Sequence, residues 1–168
     1  MGLGGNQAAK LTNDGGAISD LANLAGQNAL VKNQLTALVY AETAPAADGT
    51  KKQAFSVWDL PGSSAYDADS GAPTWEQVSP WKYLDASVNV DTNSSFLASP
   101  STPFAPTTTT IPKISGVPVQ KVYYQFFLPS GQMMGASLPQ IKLVQNANAN
   151  FYTIVINPAT GRAIVERP

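Results

Sequence analysis

The side chains in this sequence best equipped for chemistry are its carboxylates, and the densest group is Asp67-Ala68-Asp69-Ser70-Gly71 with Glu76 beyond it. Such oxygen density suits a hard cation such as calcium, whose shell is built from carboxylate and carbonyl oxygens. The spacing is not that of an EF-hand loop. The glycine falls at the fifth position instead of the sixth, and Val78 stands where the bidentate acid belongs. Asp67, Asp69 and Glu76 are thus calcium candidates by composition, and a solvated turn accounts for them better. Two carboxylates for glycoside hydrolysis could be drawn from Asp59, Asp67, Asp69, Glu76, Asp85 or Asp91, but nothing in the sequence sets two of them at the separation that chemistry needs. There is no histidine and no cysteine, which removes Ser-His-Asp and Cys-His nucleophiles and the usual zinc, haem and thiol chemistry. The expectation is a protein that is not an enzyme and needs no metal or cofactor.

Surface binding is the remaining chemistry. Ten basic residues against eleven acidic give a net charge of -1, which offers no footprint for a phosphate backbone, so nucleic acid is not expected as a partner. Trp58, Trp75 and Trp81, with Tyr66 and Tyr83, could stack on a sugar face, but aromatics bury large areas and core filling is the simpler role. Thr92 to Pro112 is rich in Ser, Thr and Pro and carries no charge; it reads as a long surface loop.

These residues must be held by one domain, because 168 residues make two cramped. Residues 8–33 have helical texture, with Ile18, Leu21, Leu24 and Ala25 marking a narrow apolar stripe suited to packing on a sheet. Asn13 or Asp14 could cap the start, Gly15-Gly16 would weaken any turn containing them, and Asn33 ends the helix. From Leu35 the period becomes two, and residues 35–60 read as a long hairpin turning at Asp48-Gly49. Thr74 to Leu84 reads as short helix or turn, and long loops are expected at 61–80 and 92–113. Val119 to Leu128, apolar on both faces, reads as a central strand, followed by strands at 140–145, 151–157 and 162–166. One helix followed by strands, with no βα alternation, predicts an α+β domain over 1–168: an N-terminal amphipathic helix packed on antiparallel β-sheet, with 35–168 β-rich.

The order Phe127-Leu128-Pro129-Ser130-Gly131, then Ile141-Lys142-Leu143, then Tyr152 to Ile156 and Thr160-Gly161-Arg162, behind an N-terminal helix, resembles the GspH/FimT-like minor pseudopilins and type IV pilin-like proteins. In that family an F-x-P-x-G turn leads to an I-x-L strand and a closing hairpin with T-G-R, so Phe127, Pro129, Gly131, Thr160, Gly161 and Arg162 carry the motif. The resemblance covers roughly the first 60 and last 50 residues. It implies a structural subunit of a type II secretion or type IV pilus-like filament, in the bacterial cell envelope, whose partners are other pilin-like subunits and assembly proteins. It also implies an inner-membrane anchor, a leader and an apolar half-helix, absent from this chain, with Met1 to Gly5 reading either as a natural start or as the junction where such a segment was replaced; the membrane would be met only through that missing helix. Small residues beside the apolar stripe would let other subunits' helices approach. The alternative is a secreted or surface-exposed β-rich binding module, an adhesin or carbohydrate-binding domain.

Overall fold

A computed structural model describes residues 3–61, 76–91, 113–114, 117–118, 120–133, 140–145 and 150–168. The chain opens with one helix, α1 (Leu3–Lys32), and continues with β1 (Leu35–Pro45), β2 (Lys51–Leu60), β3 (Glu76–Gln77), β4 (Lys82–Tyr83) and β5 (Val88–Val90). It ends with β6 (Lys113–Ile114), β7 (Val117–Pro118), β8 (Gln120–Phe127), β9 (Gln140–Gln145), β10 (Phe151–Ile156) and β11 (Ala163–Glu166). A first sheet runs β3-β2-β1-β8, with β4 also on β2; a second runs β11-β10-β9-β5; β6 and β7 pair with each other. Every pairing is antiparallel. The expected α+β architecture is what the chain adopts.

The helix begins at Leu3, ahead of the residues 8–33 that its pattern predicted, and Gly15-Gly16 lie well inside it. An interior glycine costs about 1 kcal/mol against alanine. Gly15 has a packing use, since a Cβ there would stand 3.3 Å from the Tyr152 ring on β10. Asn13 and Asp14 are therefore not caps. The other end follows expectation: Asn33 takes a left-handed conformation (φ 53°) and the Gln34 amide donates to the Ala29 carbonyl at 3.2 Å, a Schellman closure.

The helix lies against both sheets, touching β1 and β2 on one side and β9, β10 and β11 on the other. Its buried stripe is Leu11, Ile18, Ala22, Ala25 and Ala29, with Leu21 packed partly against the same core. Leu24 departs from expectation: it is 37% exposed, because at 100° per residue it turns away from the buried stripe. Across the stripe stand Leu38, Tyr40, Phe55 and Val57 of the first sheet and Ile141, Leu143, Ile154 and Ile156 of the second. The opposite face of the first sheet carries a second core, with Leu35, Ala37, Val39, Trp58, Tyr124 and Phe126.

Two expectations change. Among the described residues β8 pairs only with β1 and so ends the first sheet's order instead of lying at its centre. Its apolar character on both faces comes from serving both cores: Phe127 belongs to one, Tyr124 and Phe126 to the other. The segment from Glu76 to Leu84 is not helical but lays two short strands on the edge of β2. The loops expected at 61–80 and 92–113 consequently yield their last residues to strands, while 62–75 and 92–112 lie outside the described residues. No helix among the described residues is long and apolar enough to cross a membrane.

Candidate functional site

The two turns singled out in the sequence meet at one place on the helix. After β8, Pro129 takes the second position of a tight turn in which the Gly131 amide donates to the Leu128 carbonyl at 2.7 Å, and Gly131 adopts φ +81°. After β10, the Asn157 side chain accepts the Ala159 amide at 2.9 Å, and the Gly161 amide returns to the Asn157 carbonyl at 2.8 Å with φ +67°. The turns are joined by the Met133 amide, which donates to the Pro158 carbonyl at 2.9 Å. Phe127 is fully buried beneath them.

Gly161 is the closest-packed point. A Cβ there would run into the Gly131 carbonyl oxygen and stand 3.1 Å from the Phe127 ring. On the helix side, a Cβ at Gly26 would lie 3.2 Å from the Gly161 carbonyl oxygen. The small residues of α1 thus admit the chain's own turns and strands, a use that the resemblance had reserved for other subunits. Two turns and the helix backbone pack here around the Phe127 ring.

One helix residue completes the joint. Asn23 accepts the Ala163 amide at 2.8 Å and donates to the Ala163 carbonyl at 3.1 Å. Ala163 pairs with Ile156 through the other side of β11 only in the non-hydrogen-bonded sense, so its own polar groups face the open edge. The Asn23 amide satisfies both, as one residue of a neighbouring strand would. Beside this joint an open depression of about 490 Å³ is lined by Asn23, Gly26, Gln27 and Leu30 from the helix and by Ser130, Gly131 and Thr160 to Ile164 from the turns and β11. Thr160 and Arg162 are exposed there.

Two polar clusters fasten the rest of the helix, and the sequence reading missed both. Asp59, buried on β2, accepts Thr36 Oγ1 at 2.9 Å, Lys32 Nζ at 2.7 Å and the Asn28 amide. Asn28 and Lys32 are one helical turn apart, which is the signal that could have found this cluster. In the N-terminal half of the helix Asp14, 4% exposed, accepts the Asp85 amide at 2.8 Å and lies 3.7 Å from Lys82 Nζ. Burial pushes the Asp14 carboxyl above the ordinary range, against the lowering effects of the Asp85 amide and Lys82. Asp85 is held below that range by the Ser87 amide and hydroxyl, with Lys10 at 3.2 Å assisting.

Of the other sequence candidates, Tyr66 and Trp75 lie outside the described residues. Asp67 and Asp69 lie outside the described residues, and Glu76 is exposed on β3. No group of three potential metal-ligating side chains occurs among the described residues. Of the remaining carboxylates, Asp59 and Asp85 are engaged as above and Asp91 pairs with Lys142 at 3.8 Å. Trp58 is 7% exposed and meets Trp81 at 57° between ring planes, so it packs the second core and offers no open ring face.

No protein-family model, curated protein or solved structure matches this chain. What the joint can do is then read from its own shape. It places a rigid glycine-lined corner, one exposed cation and several exposed apolar side chains at the C-terminal half of a long helix, an arrangement suited to contact with another macromolecule.

Proposed function

We propose that this chain is the globular part of a structural subunit, of minor pseudopilin or minor pilin type, in a type II secretion or type IV pilus-like filament of the bacterial cell envelope. It acts by subunit–subunit contact and not by catalysis. The observation that supports this reading is the convergence of Phe127, Pro129 and Gly131 with Thr160, Gly161 and Arg162 on one side of α1. Two motifs some thirty residues apart in sequence build one joint, and that joint braces the helix. On this reading an apolar segment preceding α1 anchors the subunit, and the braced helix carries load between the anchor and the globular part. Other pilin-like subunits are the partners.

The test is photocrosslinking in bacteria that make the filament, with a photoreactive side chain at Val31, which is 82% exposed. Adducts with other pilin-like subunits are expected. Adducts confined to proteins outside the filament, together with secretion and piliation unchanged on deletion of the gene, would overturn the reading.

A further inference from the structure

An Asp-Gly link is where a protein backbone rearranges most readily. The glycine nitrogen attacks the aspartyl Cγ, the amide proton and a carboxyl oxygen leave as water, and a five-membered imide forms. Water then reopens the ring, and opening at the former main-chain carbonyl routes the backbone through the side chain as isoaspartate. The water lost in the first step returns in the second, so the mass is unchanged. Glycine is the favourable neighbour because it has no Cβ to crowd the ring. The sequence contains this link twice, at Asp14-Gly15 and at Asp48-Gly49.

The fold treats the two links differently. Asp14-Gly15 lies inside α1, where each amide is committed to the carbonyl four residues back. The Asp14 carboxyl is buried and accepts the Asp85 amide at 2.8 Å, and a Cβ on Gly15 would stand 3.3 Å from the Tyr152 ring, so the segment has no room to swing into an imide. Asp48-Gly49 is exposed at the tip of the β1–β2 hairpin, with nothing within 4 Å of a Cβ built on Gly49. Crowding does not protect this link; hydrogen bonds do. The Asp48 carboxylate accepts the Thr50 hydroxyl, the Thr50 amide at 3.0 Å and Lys52 Nζ at 2.9 Å, and the Gly49 amide donates to the Ala46 carbonyl at 2.9 Å. Both reacting groups are thus engaged. The Thr50 hydroxyl, then Lys52 and the Thr50 amide, hold the carboxyl below the ordinary carboxylate range, which keeps it in the ionised form that gives up its oxygen poorly.

We propose that Asp48-Gly49 is a spontaneous modification site, converting to isoaspartate at a rate set by the opening of the Thr50–Lys52 clasp, while Asp14-Gly15 stays intact as long as α1 is folded. Every bond of the clasp joins residues close in sequence, so it opens by local fraying of the tip without global unfolding. The register shift between Ala41 and Ala44 sets the tip pairs Ala44↔Lys52 and Pro45↔Lys51 apart from the ladder below, so the added backbone methylene falls where the hairpin is already irregular. The proposal is independent of the filament reading.

The experiment is incubation of the full chain at neutral pH and body temperature for several weeks. Trypsin then releases the peptides 11–32 and 33–51, and electron-transfer fragmentation assigns isoaspartate within each. Isoaspartate should accumulate at position 48 and not at position 14. Thr50→Val, at an exposed position, should speed the conversion about fivefold, the factor one lost hydrogen bond carries. Lys52→Ala should speed it about twofold, as befits an exposed ion pair. The chain held unfolded in guanidinium chloride should convert at both positions. No isoaspartate at position 48 in the wild-type and Thr50→Val chains, rates unmoved by either substitution, or equal conversion at 14 and 48 in the folded chain would overturn the proposal. Silence at position 14 even in the unfolded chain would overturn the protection assigned to the helix.

Discussion

Two hairpin turns in this molecule are alike in local chemistry and opposite in what surrounds them. At the tip of β1–β2, Asp48 accepts the Thr50 amide at 3.0 Å and Gly49 turns at φ +78°; between β10 and β11, Asn157 accepts the Ala159 amide at 2.9 Å and Gly161 turns at φ +67°. An added Cβ at Gly49 would meet nothing within 4 Å, whereas at Gly161 it would strike the Gly131 backbone. The first glycine answers only to its own backbone. The second answers also to a turn thirty residues away and to the helix, so the same residue type carries a different constraint at each site.

Substitution should separate the two. Gly161→Ala combines a left-handed alanine with a clash against backbone and should cost about 3 kcal/mol, read as a lowered denaturation midpoint at unchanged slope. Asn23→Ala should follow at about 2 kcal/mol, because it strips the Ala163 amide of its partner and leaves the carbonyl only the longer bond from the Ser19 hydroxyl at 3.4 Å. Gly49→Ala should cost about 1 kcal/mol, the left-handed penalty alone. If Gly49→Ala and Gly161→Ala cost the same, the tight corner is not a structural constraint.

The smallest effect at neutral pH is expected from Asp14→Asn, in the N-terminal half of the helix away from the corner. The folded carboxyl has a raised pKa, so its stabilising contribution is present in acid, below the ordinary carboxylate value, and is lost as pH rises through the raised value. Asp85 runs the other way, its pKa being lowered: its contribution is present above the ordinary value and lost as pH falls. Asparagine keeps an acceptor for the Asp85 amide without a buried charge. The variant should therefore melt at or above the wild-type temperature at pH 7, with the difference shrinking as pH drops through about 4. A clear loss of melting temperature at pH 7 would show that the Lys82 attraction outweighs burial.

How far the sequence could be read follows from the range of each interaction. The change of period at Leu35 marks the passage from helix to strand because it is a local pattern, and Asn33 marks the boundary for the same reason. Gly15-Gly16 made Asn13 or Asp14 look like a possible start within the 8–33 helix, whereas Gly15 has a use in close packing on Tyr152, a residue far along the chain. β3 and β4 are two residues each, too short for any periodicity to register. Phe127, Gly131 and Gly161 could be named from their turns, but not that the turns share a corner with Gly26. Asp14 looked like a cap, because its partner lies 71 residues away.

The grip of Asn23 on Ala163 spans 140 residues. A ribosome delivers α1 first and β11 last, so the helix emerges with its alanine stripe bare and must wait for the end of synthesis before its second wall exists. Such late closure makes the nascent chain slow to fold and exposed to aggregation in the interval, and a chain cut short before the last hairpin would keep that stripe half uncovered.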